Sequence, residues 1–173
     1  MDATLALRKA SHSGLRAIVS LLARLAPGQT LRGFRLWVDA VCINQQDNEE
    51  KNREVARMDS VYSSAESVLA WLGRHGTEGL PYSVALDTIR FIYDGIKDIG
   101  PGDPLPADWV EQARGVLDRG ARSEHRSRCL GDLSFASYWS RVWVWQEMAL
   151  AKSLLLFSAS SVLERERFLV VLG

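Results

Sequence analysis

Two cysteines, Cys42 and Cys129, are all the thiols in 173 residues, and they stand far apart with no second Cys or His at metal-ligand spacing. Neither a disulfide framework nor a cysteine-based metal site has enough ligands here, which points to a reduced, intracellular protein. Net charge is also lacking, because 21 Lys and Arg offset 21 Asp and Glu. No long-range field therefore draws the chain to phosphate backbones or anionic membranes, and nucleic acid is not an expected partner. Apolar runs are short, as at Leu154–Phe157, and none approaches the roughly 20 residues of a membrane span. The opening Met-Asp-Ala-Thr has no basic region followed by an apolar stretch, so no targeting segment is read and a cytoplasmic location is expected. Repeats, low-complexity tracts and domain linkers are missing too. With 47% hydrophobic and 24% charged residues, the expectation is one domain over 1–173 with a real core.

Periodicity supplies the elements. Leu15, Ile18, Val19, Leu22 and Leu25 recur at helical spacing until Pro27-Gly28 ends the run. Leu36–Ile43 (LWVDAVCI) is short and apolar apart from Asp39, which predicts a buried strand. Asp47 with Glu50 has the form of a capping box, and Val55, Met58, Tyr62 and Ala65 follow on one side of a helix. A second short apolar run, Ser67–Leu72, stops at Gly73, so strand, helix and strand form a parallel βαβ unit. Leu86, Ile89, Tyr93 and Ile96 mark a third helix. Charge dominates 108–131, where a solvated helix or mobile insertion is expected and no function is assigned. Ser137 is placed to cap a helix carrying Trp139, Val142, Trp143, Gln146 and Leu150. Leu154–Ser158 then reads as a strand, and Ser161 with Glu164 as the start of a last capped helix. The fold class is thus α/β, a parallel sheet covered by helices on both faces, with Trp37, Val41, Val68, Leu69, Leu155 and Leu156 in the core.

Two blocks carry candidate chemistry. In WVDAVCINQQD, Asp39 lies inside the expected strand and Asn44, Gln45, Gln46 and Asp47 just beyond its carboxyl end, where open parallel sheets bind ligands. A buried Asp requires hydrogen bonds, so Asp39 either faces a polar site or ties loop amides. The amide cluster suits ligand hydroxyls and equally suits turns and caps. Cys42 is read as a small core hydrophobe. In YWSRVWVWQEMAL, Trp143 and Glu147 are four apart and share one helical face. An indole beside a carboxylate can wall a site where the acid meets a sugar hydroxyl or developing positive charge. The alternative is a core aromatic helix whose Glu pairs with Arg141 or a backbone amide.

Together these segments, Leu36–Gly73 and Tyr138–Leu150, resemble the fungal heterokaryon incompatibility (HET) domain. The family pattern has a W-I-D-A-[IV]-C-I-N-Q strand, a D-x-x-E helix start, I-Y-x-x-A, V-x-V-W-L-G and, much later, W-x-R-x-W-x-x-Q-E. Trp37–Gln45, Asp47–Glu50, Val61-Tyr62 with Ala65, Val68–Gly73 and Trp139–Glu147 match it in order. The resemblance implies a death-triggering module of fungal non-self recognition. That family is distantly similar to TIR domains, with a flavodoxin-like sheet and a W-x-x-x-E glutamate that cleaves nicotinamide from NAD. The similarity implies a catalytic Glu147 with Asp39, Asn44, Gln45 and Trp143 as substrate-binding neighbours. Glu147 should then sit in a concave site at the carboxyl ends of the strands, within reach of Asp39 or Asn44. One departure concerns the opening strand and turn, Y-x-A-L-S-Y-x-W-G, which nothing in Met1–Gly14 matches. The implied domain therefore lacks the family's first strand and is truncated at its N-terminus. It also ends without the family's long carboxyl-terminal region.

Three functions follow from this reading. The first is a signalling module that self-associates or binds a protein partner and triggers cell death. The second is an NAD glycohydrolase using Glu147, with NAD as substrate and no bound cofactor or metal. The third is a non-catalytic truncated module that interacts through an open sheet edge.

Overall fold

Strand pairing organises the chain. The computed structural model describes residues 3–7, 16, 18–20, 23, 34–100, 102–117, 121–141, 143–159 and 161–172. Strands β1 (Ala3–Leu7), β2 (Phe34–Val38), β3 (Ser67–Trp71), β4 (Leu154–Ser158) and β5 (Ser161–Glu164) form one sheet in the order β2-β1-β3-β4-β5. The first four are parallel, and β5 pairs antiparallel with β4 at one edge. The expected α/β class is thus found, with the parallel part at its centre.

The expected loss of a first strand is corrected by β1. Leu5 is in register with Leu36 on one side and Ser67 on the other, so Ala3–Leu7 fills the position between β2 and β3. The family's aromatic opening motif is absent, yet a parallel ladder needs only backbone groups in register, and Ala-Thr-Leu-Ala-Leu has no Pro or Gly to interrupt it. The βαβ unit therefore spans one strand, with β2 and β3 as its parallel arms on either side of β1.

The strand expected over Leu36–Ile43 stops at Val38. Asp39–Cys42 is a single helical turn, α1. Ile43 N donates to the Asp39 carbonyl at 3.1 Å, and Val38 N donates to Cys42 Sγ at 3.4 Å, so local bonds replace the ladder. Turning the chain also rotates two expected core groups outward: Val41 is 67% exposed and Cys42 is exposed, while Cys129 is the buried thiol. Of the other expected core residues, Val68, Leu69 and Leu156 are buried and Trp37 and Leu155 half-buried.

The crossover helix is broken into α2 (Asn48–Val55) and α3 (Met58–Ser64). Asp47 caps α2 by accepting from Glu49 N at 2.9 Å and Glu50 N at 3.0 Å. Glu50 reaches past the cap, its Oε1 accepting from Asn44 N at 3.1 Å. Met58 and Tyr62 of α3 enter the core. Helix α4 (Tyr82–Ile96) buries Tyr82, Ala85, Leu86, Thr88 and Ile89. Thr88 avoids an unpaired hydroxyl by donating to the Val84 carbonyl at 2.7 Å.

The charged stretch forms two helices, α5 (Ala107–Leu117) and α6 (Ala121–Ser134), and each turns apolar side chains inward at one or more positions. Ala113, Cys129 and Leu133 point inward, and α6 packs on α4. The tryptophan helix begins later than Ser137 suggests: 137–140 are turns and α7 runs Val144–Leu150. Ser161 opens β5 rather than a helix, because it pairs with Ser158 across a two-residue connection in which Ala159 takes φ 48°. Helix α8 (Arg165–Leu172) follows directly. Of the amphipathic helix expected over Leu15–Leu25, Arg16, Ile18–Ser20 and Ala23 are helical and Ile18 is fully buried; the remainder lies outside the described residues.

Candidate functional site

At the carboxyl ends of the parallel strands the chain leaves β3 through Leu72 and Gly73. Leu72 N donates to the Phe157 carbonyl at 3.1 Å, and Ser158 Oγ donates to the Gly73 carbonyl at 2.7 Å, so β3 and β4 end as one tied rim. Gly73 then takes φ 98°, a left-handed conformation that turns the chain away from the sheet without the strain a Cβ would bring. The space this opens is a cleft of about 440 Å³ lined by Trp71, Leu72, Gly73, Ser137, Tyr138, Ser140 and Arg141. The 137–141 turns that precede α7 form its opposite wall.

Glu147 lies one layer behind that wall. It sits in the first turn of α7 and is 2% exposed. Its carboxylate accepts from the Tyr62 hydroxyl on Oε1 at 3.1 Å and from the Tyr138 hydroxyl on Oε2 at 2.7 Å. Arg141 Nη2 stands 4.0 Å from Oε1, too far for a hydrogen bond, and its guanidinium lies over the Tyr138 ring at 5.5 Å. A buried carboxylate is costly without donors, and here two hydroxyls satisfy it while a cation sits nearby. Burial, and next the neighbouring Glu147 charge, raise the Tyr138 pKa far above the ordinary phenol value. Tyr138 is consequently a fixed donor at neutral pH. Tyr138 and Arg141 each touch Glu147 on one side and line the cleft on the other.

The other expected site residues fall differently. Trp143 is half-buried immediately before α7, and its carbonyl accepts from Glu147 N at 3.0 Å, so the four-residue spacing does make one turn. Asp39 is buried at the start of α1. Asn44 and Gln45 are exposed in the loop after β2: Asn44 Oδ1 accepts from Gln46 N at 3.1 Å, and Gln45 Nε2 donates to the carbonyls of Asp39 at 3.0 Å and Ile43 at 3.2 Å. Their bonds hold their own loop, at the same end of the sheet as the cleft, and none of the three lines it. Sequence reasoning missed Tyr62 and Tyr138 as partners of Glu147. The requirement that a buried acid find donors points to such groups, since both tyrosines stand within or beside the quoted motifs.

A second concavity of about 420 Å³ lies between α7 and α8, lined by Trp139, Val144, Trp145, Met148, Ala149, Phe168 and Leu169. It is apolar, and Trp145 at its rim is 79% exposed. Among the described residues no group of three or more His, Cys, Asp or Glu is placed to hold a metal ion, and no helix is long and apolar enough to cross a membrane.

The family model described as heterokaryon incompatibility protein (HET) matches residues 10–147. This chain belongs to the HET family. Tyr62, Tyr138, Arg141 and Glu147 all fall inside the matched stretch of this HET domain. Heterokaryon incompatibility protein 6, OR allele, of Neurospora crassa is 35% identical over 88 residues, which are 51% of this chain. Those residues are 12% of the Neurospora protein, so the chain spans a small part of that relative's length. No solved structure matches the HET domain described here.

Proposed function

We propose that this HET domain is the death-triggering effector of fungal heterokaryon incompatibility, acting in the cytoplasm through self-association or a protein partner. The observation that carries the proposal is the family match over 10–147, which takes in the end of β3, the residues that line the cleft and Glu147. Support for association comes from α7 and α8, where Trp145, Leu169 and Val170 are 79%, 46% and 59% exposed. Expression in a fungal host should reduce viability, and the effect should scale with protein level. Normal growth at verified expression would refute the reading.

A second reading adds an activity, favoured by the way Tyr138 and Arg141 join Glu147 to the cleft. Here the domain is a TIR-like NAD glycohydrolase. Breaking the N-glycosidic bond sends its electron pair to nicotinamide and leaves an oxocarbenium-like ribose, which a carboxylate stabilises and water captures to give ADP-ribose and a proton. Glu147 supplies that carboxylate. Because it is 2% exposed, the Tyr138 hydroxyl must release it toward the cleft during turnover. Asp39, Asn44, Gln45 and Trp143 enter this reading as pocket-edge groups that contact the substrate when it is bound. The test is NAD consumption by the purified, folded chain. Retained folding with no cleavage by the parent protein removes the enzyme and leaves the association module.

A further inference from the structure

We propose that Arg141 is the anion-binding group of the strand-end cleft and that the ligand it takes is a nucleoside diphosphate. The inference rests on the nucleotide reading of the cleft. It adds the residue that holds the phosphates and does not depend on glycosidic cleavage.

Three observations lead to it. The first concerns an accounting of donors. Glu147 is satisfied by the hydroxyls of Tyr62 and Tyr138, at 3.1 and 2.7 Å, and so does not need Arg141 as a hydrogen-bond donor. The guanidinium meanwhile keeps 4.0 Å from Glu147 Oε1, and its buried Nη2 has no hydrogen-bond partner among the described residues. A buried guanidinium N–H without an acceptor is costly, and a planar fork of donors matches a phosphate oxygen pair. Nη2 itself faces Glu147, but the side chain is 25% exposed and lines the cleft, where an oxyanion meets the cation without displacing a hydrogen-bonded partner.

Position is the second observation. The cleft opens at the carboxyl ends of β3 and β4, the end of a parallel sheet where ligands bind. Its volume of about 440 Å³ falls in the range of small-molecule sites, roughly 300–1,000 Å³.

The third is the chemistry of the remaining wall. Half-buried Trp71 brings an aromatic ring on which a base or nicotinamide ring packs, while Tyr138 behind it is buried and carries the Arg141 guanidinium over its ring. Ser137 and Ser140 bring exposed hydroxyls to the rim. The Ser140 hydroxyl already donates to the Ser137 carbonyl at 3.0 Å, so among the described lining residues Arg141 and Ser137 are the side chains assigned to phosphate oxygens. An aromatic wall, one cation with unused donors and a hydroxyl rim select a ligand having both a ring and phosphate groups.

The experiment is calorimetric titration of the full chain with ADP-ribose, adenosine and inorganic phosphate. ADP-ribose is expected to bind, inorganic phosphate to compete with it, and adenosine to bind far more weakly. Arg141→Gln should weaken ADP-ribose binding tenfold or more and leave adenosine unchanged, and Arg141→Lys should fall between. If Arg141→Gln does not fold, Ser140→Asp serves instead: the position is exposed, and the added negative charge should weaken ADP-ribose and phosphate alike. Absence of ADP-ribose binding by the parent, or equal losses for ADP-ribose and adenosine in the Arg141 variants, overturns the assignment. Arg141-dependent binding without NAD cleavage sustains the phosphate site while the glycohydrolase falls. NAD cleavage with an unchanged KM in Arg141→Gln and Ser140→Asp does the reverse.

Discussion

Replacing Tyr138 by Phe removes one hydroxyl and leaves the ring against Trp139, whose centroid is 4.9 Å away. The lost bond is the 2.7 Å donation to Glu147 Oε2, inside a region where Glu147 is 2% exposed. A hydrogen bond to a charged group contributes about 1.5–3 kcal/mol, so Tyr138→Phe should lower stability by about 2 kcal/mol at pH 7. For a domain of this size that corresponds to a melting temperature lower by roughly 4–8 °C. The pH dependence is a second signature. Folding raises the Tyr138 pKa, by burial first and the Glu147 charge next, so the folded protein keeps a proton that the unfolded chain loses above about pH 10. The stabilisation from this group is complete below the unfolded pKa and shrinks above it, by about 1.4 kcal/mol per pH unit. Urea unfolding followed by circular dichroism between pH 7 and 11 therefore should show a deficit for Tyr138→Phe that narrows above pH 10. Equal stability at pH 7, or a deficit unchanged up to pH 11, would contradict a buried hydroxyl–carboxylate bond.

Glu147→Gln keeps the shape and removes the charge, so NAD cleavage should drop at least a hundredfold with circular dichroism unchanged; equal cleavage by parent and variant sinks the catalytic assignment. Two glycines should respond in opposite directions. A Cβ at Gly95 would overlap Trp109 Nε1, so Gly95→Ala should cost about 1–3 kcal/mol by pushing α5 off α4, whereas Gly131 on α6 is exposed with open space around it and Gly131→Ala should gain up to ~1 kcal/mol. Chemical denaturation of the pair checks both signs at once. Gly76→Ala would drive a methyl into the Asp132 carboxylate, whose Oδ1 accepts from Thr77 N at 3.3 Å and Thr77 Oγ1 at 3.0 Å; proteolysis within 74–81 should accelerate, and an unchanged cleavage rate would mean that this clamp does not hold the loop.

What was legible in the chain depended on how local the deciding interaction is. Leu154–Ser158 reads as a strand because five apolar or small residues lie between polar turns, and the fold keeps those bounds. Ser67–Trp71 is similar, with Gly73 as its stop. The Asp47 cap is local as well, three residues from its partner Glu50. By contrast β1 has no periodic signal of its own and exists through its two neighbours, β2 and β3. Ser161 satisfies a helix-cap pattern, but pairing with Ser158 in a hairpin outweighs it. At the site, the spacing from Trp143 to Glu147 is readable from sequence, whereas Tyr62 reaches Glu147 across 85 positions. No pattern of period two or 3.6 carries that contact, and only the buried acid's need for donors hints at it.

Tyr138 and Arg141 belong to the core on one side and to the cleft on the other, and this double membership governs how variants of the site behave. A change that loosens their grip on Glu147 lowers stability and reshapes the cleft wall together, so a loss of activity in Tyr138→Phe has two causes that a single assay confounds. Residues that touch only one side separate them. Tyr62 donates to Glu147 and does not line the cleft, so Tyr62→Phe should reduce stability by about 1.5–3 kcal/mol while ligand affinity in the folded fraction stays within about twofold. Ser140 lines the cleft and is exposed, so Ser140→Asp should do the opposite, changing affinity at constant stability. The pair is measured by urea unfolding and by calorimetric titration with ADP-ribose. If Tyr62→Phe shifts affinity as strongly as Ser140→Asp, the Glu147 network is part of the ligand site itself rather than the support behind it.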